Sequence, residues 1–145
     1  MTEYCTSTQV QNRLTSAGYG NLADRDDDGT VSAAELAAYV TQAIQQAGDD
    51  IDYALVNHQP AYDTAAARGA SNSFLRSRAI DIACWYVATN GGRDAPEAIQ
   101  AGYDKSKDML DDIQKHGNIV PGLTGAQTWS DSNHEAFEIQ SGGRT

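Results

Sequence analysis

The apolar residues of this 145-residue chain recur at steps of three and four, which is the spacing of one helix face. The pattern predicts four helices, at about residues 7–17, 33–57, 71 or 73–89, and 94–116. Ser7 is the expected N-cap of the first helix, Gly18 its stop, and Asp94 the cap of the fourth. Residues 60–69 are expected to be a connection. The predicted fold class is therefore all-α, with a four-helix bundle-like domain.

The third predicted helix carries apolar side chains nearly all round, so we expect it to be the central, buried element. The residues expected to be largely buried there, or packed against it, are Ile82, Trp85, Tyr86, Leu36, Val40 and Ile113. Gly48 lies inside the second helix, where glycine costs about 1 kcal/mol relative to alanine. Its presence predicts a kink or a close contact between helices.

The helical spacing stops at Gly117, which divides the chain into a helical domain at residues 1–117 and a segment at residues 118–145. Apolar and polar residues alternate over residues 137–140, as they do in a strand. We expect an extended C-terminal arm that binds partner proteins through Trp129, Phe137 and Ile139. The alternative is a loose tail.

The most specific motif is acidic and spans twelve residues, DRDDDGTVSAAE, from Asp24 to Glu35. It has the spacing of an EF-hand calcium loop, with carboxylates at the first, third, fifth and twelfth positions and Gly29 at the sixth. Calcium takes about six to eight hard oxygen ligands, which such a loop supplies from side chains and a backbone carbonyl. The predicted Ca²⁺ ligands are Asp24, Asp26, Asp28, the carbonyl of Thr30, and Glu35.

Two observations keep a second interpretation open. Ser32 and Glu35 also form the pattern of a helix capping box, so the stretch could be an ordinary acidic surface loop. No second calcium loop follows, because residues 49–52 lack the glycine and the terminal glutamate. A lone loop argues against a calmodulin-like switch.

Composition narrows the classes of function. The net charge is -10 and the sequence pI about 4.4, and no basic stripe exists, which argues against sequence-specific binding to nucleic acid. No stretch resembles a signal peptide or a membrane span, so we expect a protein that is made and kept in the cytosol and binds no membrane. Cys84 lies in an apolar run and should be buried, while Cys5 lies near the terminus, and a disulfide between them stays open.

Catalysis has little support in the sequence. His58, His116 and His134 are far apart along the chain and are most simply surface residues. No nucleophile motif, phosphate-binding loop or zinc-ligand cluster is present. We therefore expect a protein that is not an enzyme.

Several pieces occur in a recognisable order. They are LADRDDDG at residues 22–29, DDIDYAL at residues 49–55, LRSRAIDIACWYVA at residues 75–88, and a glycine followed by Pro-Gly after the fourth helix. In this order the chain resembles the neck adaptor proteins of tailed phages, in the Mu-like prophage family. The resemblance covers about residues 4–122.

The resemblance implies a structural virion protein, a head-tail connector in the virion neck that is made in the host bacterial cytoplasm. Such a subunit forms a ring with copies of itself, docks beneath the portal protein, and meets a stopper or tail-completion protein. The alternative from a different class is a monomeric calcium-binding or adhesion module with a single EF-hand loop.

Overall fold

The computed structural model describes residues 3–26 and 28–123. Its helical elements are α1 (Ser7–Ser16), α2 (Ala33–Glu35), a π-helical turn (Leu36–Val40), α3 (Thr41–Val56), α4 (Thr64–Gly69), α5 (Ser73–Asn90) and α6 (Glu97–His116). From α2 through the π-turn to α3 the helix runs on without a break, which gives five helical bodies. The described residues contain no β-strand, so the all-α prediction is confirmed.

Helix α5 lies at the centre, as its apolar surface predicts. It packs against α1, α3, the π-turn and α6. Ile82, Val40 and Ile113 are buried as expected, whereas Trp85 and Tyr86 keep part of their rings at the surface. Each of these two rings ends in a polar atom that donates to a neighbouring helix: Trp85 Nε1 to Gln100 and Tyr86 Oη to Asp50, both over 2.9 Å. Partial burial thus lets each ring fill space and keep its hydrogen bond.

The helix starts differ from their predicted positions by a few residues. Thr6, rather than Ser7, caps α1, and its side chain and that of Gln9 form a reciprocal capping box. Helix α6 starts after Pro96 instead of at the expected cap Asp94. The end of α6 is as predicted, because Gly117 adopts the left-handed conformation (φ 69°) that terminates a helix.

The expected connection at residues 60–69 contains a helix, α4, which corrects that prediction. The side chain of Asp63 caps it by accepting from Ala66 N–H over 3.2 Å. Its Arg68 side chain reaches back to α3 and the N-terminus, where it pairs with Asp52 and Glu3. A Cβ atom on Gly48 would lie 3.0 Å from Arg68 Nη2, so this glycine marks a close contact.

Residues 118–123 pack back onto the helices. Val120 is fully buried and donates its N–H to Tyr62 Oη over 3.3 Å. The Asn118 carbonyl oxygen lies 3.1 Å from His58 Nε2, and the His58 side chain is buried, so the prediction of a surface histidine is wrong at this position. The domain division at residue 117 and the extended arm stay predictions, and Trp129, Phe137 and Ile139 lie outside the described residues.

Both cysteines are buried free thiols, which settles the open question of a disulfide. Burial raises the pKa of Cys5 and of Cys84 to about 12. Within the described part of the chain, no helix combines the length and the apolar character that crossing a bilayer requires.

Candidate metal centre

The acidic loop joins α1 to α2, and its last residue belongs to α2. Ser32 caps that helix: its Oγ accepts from Glu35 N–H over 3.1 Å, and Glu35 Oε1 accepts from Ser32 N–H over 3.0 Å. The capping box therefore fixes the Glu35 side chain pointing back over the loop. Its second oxygen, Oε2, accepts from Arg25 N–H over 2.7 Å. Each carboxylate oxygen still has a free lone pair that can bind a cation.

Four of the predicted ligands converge. One carboxylate oxygen from each of Asp24, Asp26, Asp28 and Glu35 lies within 4.8 Å of the other three. Oxygens about 2.4 Å from a common centre can be at most about 4.8 Å apart, so this spacing matches a calcium coordination sphere. No other such group of His, Cys, Asp or Glu occurs within residues 3–26 and 28–123.

Two members of the group are buried, Asp24 at 4% exposure and Glu35 at 7%. The more deeply buried one is Asp24. Its Oδ2 accepts from Gly29 N–H over 2.9 Å, and Gly29 adopts φ +86°, a conformation that favours glycine. With Asp26 ionised, Asp24 Oδ1 has no hydrogen-bond donor among the described residues. A buried carboxylate oxygen without a donor is unfavourable, and a cation would satisfy it.

Asp28 is hydrogen-bonded to Thr30 and to Asp26. Its Oδ1 accepts from the N–H and the hydroxyl of Thr30, over 3.0 and 3.2 Å. Asp26 Oδ1 accepts from Asp28 N–H over 3.3 Å. These bonds place Thr30 next to the four carboxylates, as the sequence predicts, while ligation by its carbonyl stays a prediction.

The carboxylates influence one another's protonation. Burial raises the pKa of Asp24, but hydrogen bonding with the Asp26 carboxyl and with the N–H groups of Gly29 and Asp28 outweighs this effect, so the pKa lies below its ordinary value. The same hydrogen bond, together with burial, raises the pKa of Asp26. The N–H groups of Ser32 and Arg25 lower the pKa of Glu35. A divalent cation favours the ionised form of each carboxylate that it binds, so its binding would oppose the raised pKa of Asp26.

Two arginines that no sequence motif indicates connect the loop to the end of α5 through hydrogen bonds. Arg25 donates from Nη2 to the Val87 carbonyl over 2.8 Å, and its guanidinium lies 4.5 Å from the centre of the Tyr39 ring. Arg93 donates to the Asp24 carbonyl over 3.2 Å. Their partners are 62 and 69 residues away along the chain, so no local pattern indicates these contacts.

The family assignment follows from the sequence comparison. The family model described as Bacteriophage Mu, Gp36 matches residues 4–139. The chain belongs to this family. No curated protein and no solved structure matches it.

Membership makes this a Mu-like phage protein of the structural or morphogenesis class, which confirms the coarser part of the resemblance. The matched range contains the acidic loop and also Trp129, Phe137 and Ile139. The segment beyond residue 123 is therefore part of the family's own sequence up to residue 139.

Proposed function

We propose that this Gp36-family protein is a head-tail connector subunit, which forms a ring beneath the portal protein in the virion neck and joins the capsid to a stopper or tail-completion protein. The observation that carries the proposal is the family match over residues 4–139. It assigns the chain to the proteins that build a Mu-like phage particle. The all-helical fold is consistent with a structural subunit.

An apolar end of the domain supports assembly with other proteins. We define the apolar end as Tyr53, Val56 and Ile119, whose exposed fractions are 64%, 54% and 65%. Tyr53 and Val56 lie one turn apart on α3, and the contact between His58 and Asn118 brings Ile119 to the same end. Large apolar side chains grouped at a surface are typical of a protein interface.

The last described residue, Leu123, lies four residues after Ile119 in the sequence, and the C-terminal segment continues from there. Under this proposal the segment reaches a neighbouring subunit or the portal, with Trp129, Phe137 and Ile139 as anchors. Aromatic and aliphatic anchors of this kind contribute most of the binding energy in many interfaces.

Complementation of a phage that lacks this gene tests the role. Three variants are compared: the full chain, a chain of residues 1–139, and a chain of residues 1–123. The second variant ends where the family match ends. We expect the first two to restore tailed particles that contain the chain at the neck, as seen by electron microscopy and mass spectrometry. Residues 1–123 should fold and yield heads without tails.

Two results would contradict different parts of the proposal, the connector role and the function of the C-terminal arm. If tailed particles form without the chain, or contain none of it, the connector role is wrong. If residues 1–123 restore infectious particles, the role stands and the arm is dispensable.

The carboxylate cluster favours a second candidate, a monomeric calcium-binding or adhesion module with one EF-hand loop. In that case the chain would be absent from purified particles. It would also stay monomeric by light scattering when the portal protein is present.

A further inference from the structure

We propose that the loop at residues 24–35 is a structural Ca²⁺ site and that the bound ion holds the loop against the end of α5. The four ligating side chains are Asp24, Asp26, Asp28 and Glu35. The proposal is independent of the connector role, since it concerns the isolated, folded chain.

Two observations distinguish this loop from a solvated acidic turn. In a solvated turn each carboxylate points into water, away from its neighbours, whereas here four carboxylate oxygens lie within 4.8 Å of one another. In addition, Asp24 is only 4% exposed, and its Oδ1 has no hydrogen-bond donor among the described residues. Its other oxygen already accepts from Gly29 N–H. The unpartnered oxygen needs a positive charge beside it.

The chemistry of the donors selects the ion. All four side-chain donors are hard carboxylate oxygens, and neither histidine nor cysteine belongs to the group. Zinc prefers nitrogen and sulfur donors. Magnesium requires near-ideal octahedral geometry at about 2.0–2.1 Å and retains waters, while calcium accepts many carboxylates at longer distances. A crowded, four-carboxylate loop therefore fits Ca²⁺.

The contacts around the loop show what the ion would stabilise. Glu35 holds the backbone of Arg25, and the guanidinium of Arg25 bonds to Val87 in the last turns of α5. Arg93, just beyond α5, bonds to the Asp24 carbonyl. Binding of an ion at Asp24 and Glu35 thus fixes both ends of the loop, and through the two arginines it fixes the loop on α5.

Titration of the purified full chain with CaCl₂, after removal of metals with a chelator, tests the site. We expect one ion per chain with a Kd below about 1 mM. At a tenfold excess over that Kd, the Tm should rise by about 3 °C or more. The amide resonance of Gly29 should shift on binding, because its N–H bonds to a ligand. MgCl₂ at the same concentration should give a much smaller change.

Matched variants identify the ligands. Glu35→Gln keeps a side chain that can complete the capping box, and Asp26→Asn changes an exposed position. Each should weaken calcium binding at least tenfold. Asp108→Asn removes the same charge from an exposed position of α6 and should bind as the wild type does.

Three results overturn the proposal: no heat and no change in Tm with CaCl₂, an equal response to MgCl₂, or unchanged binding in both ligand variants. None of these results bears on complementation by the full chain, so the site and the connector role fail separately.

Discussion

His58 joins the segment after α6 to the α3–α4 loop, because its Nε2 atom lies 3.1 Å from the carbonyl oxygen of Asn118. The other ring nitrogen lies 2.7 Å from the Pro60 carbonyl oxygen, and the ring packs against Tyr62 at 4.6 Å. Carbonyl oxygens only accept, so the ring nitrogen that carries the proton donates to one of them, and the tautomer decides which. The imidazole therefore fixes the point from which the C-terminal segment departs.

Replacing His58 with alanine should destabilise the fold by about 2 kcal/mol, because the buried ring loses a hydrogen bond to a backbone carbonyl and its packing against Tyr62. Urea titration measures the change, and hydrogen exchange should show faster exchange at residues 118–123 than elsewhere. His116→Ala, at an exposed position, is the control and should cost less than about 0.5 kcal/mol. Equal exchange in both variants would show that His58 does not hold the segment.

Gly48→Ala should be destabilising although it removes a glycine from a helix. Alanine gains about 1 kcal/mol in helix propensity, but its Cβ would lie 3.0 Å from Arg68 Nη2 and push the guanidinium away from Asp52. A double-mutant cycle separates the two effects. In an Arg68→Ala background, Gly48→Ala should become stabilising. The same sign in both backgrounds would mean that the close contact is unimportant.

Ile82→Ala should cost about 2–5 kcal/mol, because the side chain is fully buried on the central helix and its removal leaves a cavity. Val56→Ala, on the exposed apolar end, should change the stability by less than about 0.5 kcal/mol. Denaturant unfolding of the two variants gives the comparison. A loss below about 0.5 kcal/mol for Ile82→Ala would contradict the central place of α5.

The two thiols should make the fold sensitive to alkali. The folded pKa of Cys5 and Cys84 is raised from 9.0 to about 12, so the folded state holds these protons more tightly than the unfolded state. The contribution of the protonated thiols to the free energy of unfolding is fully present below about pH 9 and is lost as the pH rises toward about 12. Thermal unfolding between pH 8 and pH 11 measures this loss.

A chain with both cysteines changed to alanine is the control, and its stability should fall less steeply over that interval. Native thiols should also react with iodoacetamide at pH 8 far more slowly than the same thiols in urea. Fast alkylation of the native chain would contradict their burial.

The long helices were predictable because their apolar positions repeat over several turns. The run from Ala33 to Val56 and helix α5 were both located within a few residues from spacing alone. Helix α4 was not, since six residues give fewer than two turns of pattern, and its one buried residue, Ala67, does not form a stripe with the preceding Tyr62.

The same division between local and distant information applies to the candidate site. The carboxylates lie within twelve consecutive residues, so their spacing in sequence nearly defines their geometry. The contacts of Arg25 with Val87, and of His58 with Asn118, depend on packing between distant segments. The spacing of residues within one segment cannot predict such contacts.

The π-turn at Leu36–Val40 has a consequence for comparing related sequences. Such a turn holds one residue more than an α-helical turn, and Thr41 N–H bonds to the carbonyl of Leu36, five residues earlier. The turn takes up this extra residue within about one rotation of the helix, so removing one of the exposed residues Ala37 or Ala38 would restore a regular α-helix and leave Glu35 in the same orientation relative to α3. Glu35 would then still face Asp24. A one-residue gap at this place in an alignment therefore marks relatives that lack the π-turn but keep the fourth carboxylate in position.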